Sequence, residues 1–303
     1  MSSIPPIVLL RCDGGPGIGF GHFTRCRALA AEFERNHGCR TRFWVERGAE
    51  LLSDVALVAG PEGREIATII DLPFDDPAPL PGGLPGVVAA IDDGTARRLA
   101  TEVNFYPPVP ALDWSGYSGT VFCGWDWVVL GPAFAKAPPS RVKPARPRLL
   151  VTMGGADPRG FTGLALDALA RVAGDFDIRV ILGPAFDAPL PAGDYEAVRA
   201  PRDMRGEMLR ADLAVAAFGV TAFELAACAT PGIFLCLSDD HARSARAFED
   251  AGIGVIGALE PAALAAQITR ALAMPAPAQP RLVDGRGSER IAAEIIKRAG
   301  LSP

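Results

Sequence analysis

At 303 residues the chain is long enough for two domains that each bury a core, and 49% hydrophobic with 21% charged residues is a folded rather than a disordered balance. The net charge of −5 argues against a nucleic-acid partner, which calls for a basic face. No apolar run reaches the roughly eighteen residues of a membrane span, the N-terminus lacks a signal-peptide pattern, and the six cysteines contain no CxxC pair. Together these predict a cytoplasmic protein with reduced core thiols and neither disulfides nor a zinc site.

The apolar run Ile7 to Leu10 predicts a first strand, followed by a loop with Gly14, Gly15, Gly17, Gly19 and Gly21 and a helix from His22 that ends between Phe33 and His37. Glycine tolerates positive φ and has no Cβ, so such a loop lets N–H groups wrap an anion at a helix N-terminus, where the macrodipole favours negative charge. The loop either binds a ligand or simply closes an α/β sheet. No Lys-Ser or Lys-Thr pair follows the last glycine and the spacing is not GxGxxG, which argues against a P-loop and against a dinucleotide fold. His22 sits in the first helical turn, where a neutral imidazole serves as a general base near neutral pH. Asp13, at the strand's end, either orients that imidazole or forms the turn.

Thr41 to Val45 reads as a second strand and Ala49 to Ala56 as a short helix, an alternation that implies a parallel sheet. Pro73 to Pro85, rich in Pro and Gly, reads as surface loop. Val87 to Ile91 is a strand ending in Asp92-Asp93-Gly94, at the edge where open α/β sheets bind ligands. Asp92 or Asp93 orients a base or contacts a ligand hydroxyl there, or the pair caps the next helix at Thr95 or Ala96. Val103 to Phe105 is a further strand. The Pro-rich stretch Gly131 to Arg148 is the linker, dividing the chain into 1–136, a linker 137–147, and 148–303 with a terminal helix.

The second half starts like the first: a strand at Leu149 to Thr152, a turn holding Gly154 and Gly155, and an amphipathic helix from Gly160 to Arg171. Two such starts suggest an α/β protein of two Rossmann-like domains facing each other across a cleft. Ile178 to Leu182 is a strand. Asp212 to Ala216 is another, followed by the turn Phe218-Gly219-Val220-Thr221 and a helix, Ala222 to Cys228, carrying Glu224. Thr221 caps that helix, its free N–H groups hold a diphosphate, and Glu224 accepts from ribose hydroxyls or closes a capping box with Thr221. Strand Ile233 to Cys236 leads to Asp239, Asp240 and His241, which lack a partner cluster at metal-ligand spacing. A Pro/Ala segment, Ala271 to Pro280, precedes the last helix, Ser288 to Arg298.

The run Gly17-Ile18-Gly19-Phe20-Gly21-His22-Phe23-Thr24-Arg25-Cys26-Arg27-Ala28-Leu29-Ala30 resembles the opening motif GxGxGHxxRCxxLA of the PseG/SpsG family. These are nucleotide-sugar proteins of the GT-B type, among them UDP-sugar hydrolases of pseudaminic acid biosynthesis and relatives tied to spore-coat polysaccharide synthesis. Gly131-Pro132-Ala133-Phe134, MGGADP at 153–158, the stretch 211–231 and the DGRG element at 284–287 resemble its later motifs in order. The resemblance implies a GT-B arrangement that binds a UDP-sugar without a cofactor or metal. The nucleotide would lie on Gly219, Val220, Thr221 and Glu224, helped by Gly154 and Gly155; the sugar would lie near Gly17, Gly19, Gly21, Arg25, Asp92, Asp240 and His241. By the same resemblance, His22 activates water at the anomeric carbon and UDP leaves with inversion. The family's best-known substrate is UDP-2,4-diacetamido-2,4,6-trideoxy-β-L-altropyranose. Phe218 stands where that family has a glycine, and Asp240-His241 where it has Asn-Gln, which bears on the sugar. The alternatives are a glycosyltransferase that passes the sugar to an acceptor, or a non-catalytic nucleotide-sugar binder. The sequence leaves the oligomeric state open.

Overall fold

The computed structural model describes residues 4–15, 17–74, 78–108, 112–139, 144–274 and 281–301. Parts of the predicted linker (140–143), of the loop 73–85 (75–77) and of the Pro/Ala segment (275–280) lie outside the described residues. In chain order the strands are β1 (Ile7–Cys12), β2 (Arg40–Trp44), β3 (Leu57–Val58), β4 (Ala67–Asp71), β5 (Val87–Ile91), β6 (Val103–Tyr106), β7 (Thr120–Cys123), β8 (Arg148–Thr152), β9 (Asp177–Leu182), β10 (Glu196–Arg199), β11 (Leu213–Ala217), β12 (Gly232–Leu235) and β13 (Gly254–Ile256). The α-helices are α1 (Gly21–His37), α2 (Phe161–Leu169), α3 (Met204–Arg210), α4 (Val220–Ala227), α5 (Asp239–Asp250), α6 (Pro261–Ala273) and α7 (Gly287–Arg298). They form two compact units: unit 1 runs to Pro132 and resumes at Gly285, and unit 2 is Ala133–Asp284.

Unit 1 is built on a parallel sheet of order β3-β2-β1-β4-β5-β6-β7. Helices cover parallel sheets on both faces, so central strands read as continuous apolar runs; β1 and β4 are buried at every position. Helix α1 follows from its stripe Phe23, Cys26, Leu29, Ala30 and Phe33, all buried, and from Gly38, which adopts left-handed φ at its C-terminus. The closing helix was expected in the second domain, yet it belongs to unit 1. Its apolar stripe, Ile291, Ala292, Ile295 and Ile296, joins the same core as Leu29 and Phe33. The predicted helix at Ala49 to Ala56 is reduced to a single 3-10 turn, Ala49–Leu51. Leu52 is buried but Leu51 is exposed, so there is no continuous apolar face to hold a longer helix on the sheet.

Unit 2 repeats the plan with the parallel order β10-β9-β8-β11-β12-β13 around a core of Leu149, Val151, Phe161, Val180, Val215, Ile233 and Ile268. In each sheet the strand order reverses direction once, between β1 and β4 in unit 1 and between β8 and β11 in unit 2. At such a switch point the loops leaving neighbouring strands diverge and open a crevice at the strands' C-terminal ends. The glycine loop before α1 leaves β1, and the loops 153–158 and 218–221 leave β8 and β11. None of the described helices is long and apolar enough to cross a membrane.

Candidate functional site

In unit 1 the switch point assembles a polar triad from two elements, α1 and the end of β4. Asp71, the last residue of β4, is fully buried. Its Oδ1 lies 2.6 Å from His22 Nδ1, and Arg25, one turn further along α1, donates to both of its oxygens at 2.6 and 2.7 Å. Burial by itself would push the Asp71 carboxyl up; the Arg25 and His22 contacts outweigh it and hold the group below the ordinary carboxylate value. Arg25 is desolvated as well, yet Asp71 and, farther off, Asp92 stabilise its charge. Arg25 Nη2 also lies 3.0 Å from Nδ1; of the two neutral tautomers, the one with its proton on Nδ1 donates to the Asp71 carboxylate and leaves the Nε2 lone pair as acceptor. Among the described residues no group hydrogen-bonds Nε2, and the side chain is 15% exposed.

This arrangement corrects the expectation for Asp13. Its carboxylate is occupied by Arg11 and Arg47 and by the N–H groups of Glu46 and Arg47 at 2.9 and 3.1 Å, so it ties β1 to the chain after β2 and does not reach His22. The imidazole is oriented instead by Asp71, on a strand that periodicity did not single out. The signal was present: Glu65-Ile66-Ala67-Thr68-Ile69-Ile70-Asp71 is an apolar, β-branched run between a Gly-containing turn and Pro73, ending in a carboxylate as β5 does.

The pair after β5 divides in role. Asp93 is buried and accepts from Thr95 N–H, Thr95 Oγ1 and Arg97 Nε at 2.7–2.8 Å, but the 3-10 turn Ala96–Ala100 is capped by Thr95, whose Oγ1 accepts from Arg97 N–H, so Asp93 braces the cap residue and is not itself the cap. Asp92 has φ 51°, a left-handed value uncommon for a residue with a Cβ, and its carboxylate makes only a long ion pair, 3.9 Å, with Arg25. Desolvation pushes it up to about 6, partly offset by Arg25. The glycine loop folds on itself: the N–H groups of Gly15 and Gly19 are used on each other's carbonyls at 3.0 and 2.7 Å. They are therefore spent before an anion arrives, while a Cβ at Gly17 would meet nothing within 4 Å. No side chain caps α1, whose first N–H groups belong to Gly21 and His22.

In unit 2 the two loops at the switch point meet. Thr221 Oγ1 lies 3.9 Å from the position a Cβ on Gly154 would take. Thr221 is not the cap, however. Helix α4 starts after Gly219, at φ 156° and ψ −151°, a region that excludes other residues, and no side chain caps it. With Gly219 as N-cap the capping box between Thr221 and Glu224 has no geometric basis. The first N–H groups of α4 thus stay open to an anion, and Glu224, one turn on, has no hydrogen-bond partner among the described residues; burial pushes its carboxyl up to about 7. Phe218 points away from the loop, its ring 5.5–5.9 Å from those of Phe234 and Phe248. Its aromatic bulk fills the core, so the loop is not crowded by it. His241 leans on Phe218 at 5.8 Å with a buried, unpartnered Nδ1, and desolvation lowers it. Asp240 is exposed and paired with Arg243.

No family model and no curated protein matches the chain. Solved structures do. The S. aureus MnaA-UDP structure superposes with a TM-score of 0.66 at 12% identity over 98% of each chain. MurG of Acinetobacter baumannii gives 0.62 at 14% over 97% of this chain and 100% of that one. CalG4, the calicheamicin glycosyltransferase, gives 0.60 at 14% over 99% and 100%. At such identities the likeness shows the fold. That fold is an α/β fold of two domains, each built on a parallel sheet, shared with these structures.

Proposed function

We propose that the chain is a UDP-sugar hydrolase of the PseG/SpsG type, acting on a UDP-linked deoxy amino sugar of the pseudaminic acid kind. The observation that carries this reading is the His22–Asp71 contact of 2.6 Å, which presents Nε2 as a base on the side where Asp92 has only a long ion pair to Arg25. Nε2 takes a proton from water as the oxygen attacks the anomeric carbon; the bond to the diphosphate breaks with inversion, and UDP leaves as the anion. Arg25 and Asp71 fix the imidazole, and Asp92 accepts from a sugar hydroxyl. In unit 2 the open N–H groups of Gly219, Val220 and Thr221, with Gly154 and Gly155 alongside, receive the diphosphate and its growing charge, and Glu224 accepts from the ribose. The two-domain fold shared with the MnaA-UDP structure supports a nucleotide ligand.

A second reading has its own support: MurG and CalG4 share the fold, and the same base would deprotonate an acceptor hydroxyl as readily as water. Phosphorus NMR of the protein with a panel of UDP- and CMP-sugars, His22→Ala in parallel, separates the two. UDP released without an acceptor, and only when His22 is present, is the expected result. Release that persists in His22→Ala with an intact fold would overturn the mechanism, and turnover only after an acceptor is added would establish the transferase.

A further inference from the structure

We infer that Phe74 is the platform on which the sugar ring stacks, setting affinity for the sugar and not for the nucleotide; this rests on the nucleotide-sugar reading above. Among the large apolar side chains that the described residues leave exposed, Phe74 is the aromatic one, 44% exposed. It stands three residues beyond Asp71, at the same C-terminal edge of the sheet. The chain that carries it is held firmly: Leu72 is buried, and the Pro73 carbonyl accepts from Arg97 at 2.9 Å, while Arg97 is itself buried against Asp93 at 2.8 Å. The tip of the ring rests over Gly94, 3.7–3.8 Å from where a Cβ would stand, two residues after Asp92.

A held backbone and a glycine under the ring tip keep one aromatic face turned to solvent at the same sheet edge as Asp71 and Asp92. A pyranose is amphipathic, with hydroxyls at its edge and C–H groups on its face. Asp92 offers an acceptor engaged only by the long ion pair to Arg25, and Phe74 offers an aromatic face against Gly94, two residues on. Together they match those two sides of a sugar, whereas a nucleotide's charge is matched in unit 2.

Calorimetric titration of UDP, UDP-N-acetylglucosamine and the UDP-diacetamido sugar into wild type, Phe74→Ala and Phe74→Tyr tests this. Because Phe74 is exposed, Phe74→Ala is expected to keep the wild-type Tm. It is expected to lose about tenfold in affinity for the sugar that wild type binds best, to leave UDP unchanged, and to be rescued in Phe74→Tyr. An unchanged ratio of UDP-sugar to UDP affinity in Phe74→Ala, equal weakening of both, or failure of Phe74→Tyr to rescue would overturn the inference alone. If wild type binds neither UDP nor any UDP-sugar, the nucleotide-sugar reading fails and Phe74 falls with it.

Discussion

Asp71 carries two loads, since it orients His22 and neutralises the buried Arg25. Asp71→Asn removes the charge that fixes the Nδ1 proton and leaves a buried cation without its partner. We expect kcat to fall by about a thousandfold with a small change in KM, and stability to fall by about 3 kcal/mol, read from urea unfolding. Desolvation pushes Asp92 up to about 6, and in the proposed role it accepts a sugar hydroxyl better as the carboxylate, so kcat/KM should rise through that pH, and the limb should vanish in Asp92→Asn. Glu224 adds a second pH effect, this one on stability. Its folded value of about 7 lies above the ordinary 4.5, so between these limits the native state binds more protons and stability falls as pH rises. The slope is at most about 1.4 kcal/mol per pH unit, and Glu224→Gln should flatten it in unfolding curves taken from pH 4.5 to 7. His22 and Arg25 were legible because they share a short motif with the glycine loop. Asp71 was not, because forty-nine residues separate it from His22 and only the β1–β4 pairing brings them together. Asp13, near in sequence, was the natural candidate, but its lone pairs are taken by Arg11 and Arg47.

At the scale of elements, each half-site depends on loops held in place by the neighbouring strand. Gly183, at the end of β9, shows this: a Cβ there would stand 2.2 Å from Gly154 O and 2.3 Å from Gly155 O. Gly183→Ala must displace the loop that faces Thr221. The expected result is about a tenfold loss in UDP affinity with a stability cost of about 1–3 kcal/mol, while the His22 environment, followed by imidazole NMR signals, stays as in wild type. An unchanged UDP affinity would show that this loop does not hold the nucleotide. The strands with apolar runs of five or six residues, β1, β5 and β8, were readable from sequence. Short or edge strands such as β3, β10 and β13 were not, since two to four residues carry too little periodicity to stand out.

At the scale of the whole molecule, the chain leaves unit 1 at Pro132 and returns to it at Gly285. A chain ended at residue 284 would lose Ile291, Ala292, Ile295 and Ile296 from the core around α1. Limited proteolysis should then digest unit 1 while a fragment spanning 133–284 persists; equal resistance of both units would contradict the assignment of α7. Two strand–glycine-turn–helix starts, their apolar periods and the motif around His22 were determined by the sequence itself, because local spacing dictates which residues a strand end or a first helical turn can expose. The tertiary structure alone decided that Asp71 partners His22, that Asp93 braces Thr95 while Asp92 keeps only a long ion pair with Arg25, and that the last helix joins the first unit. Strand order and the burial of distant apolar stripes are set by which surfaces exclude water together, and no local pattern encodes that.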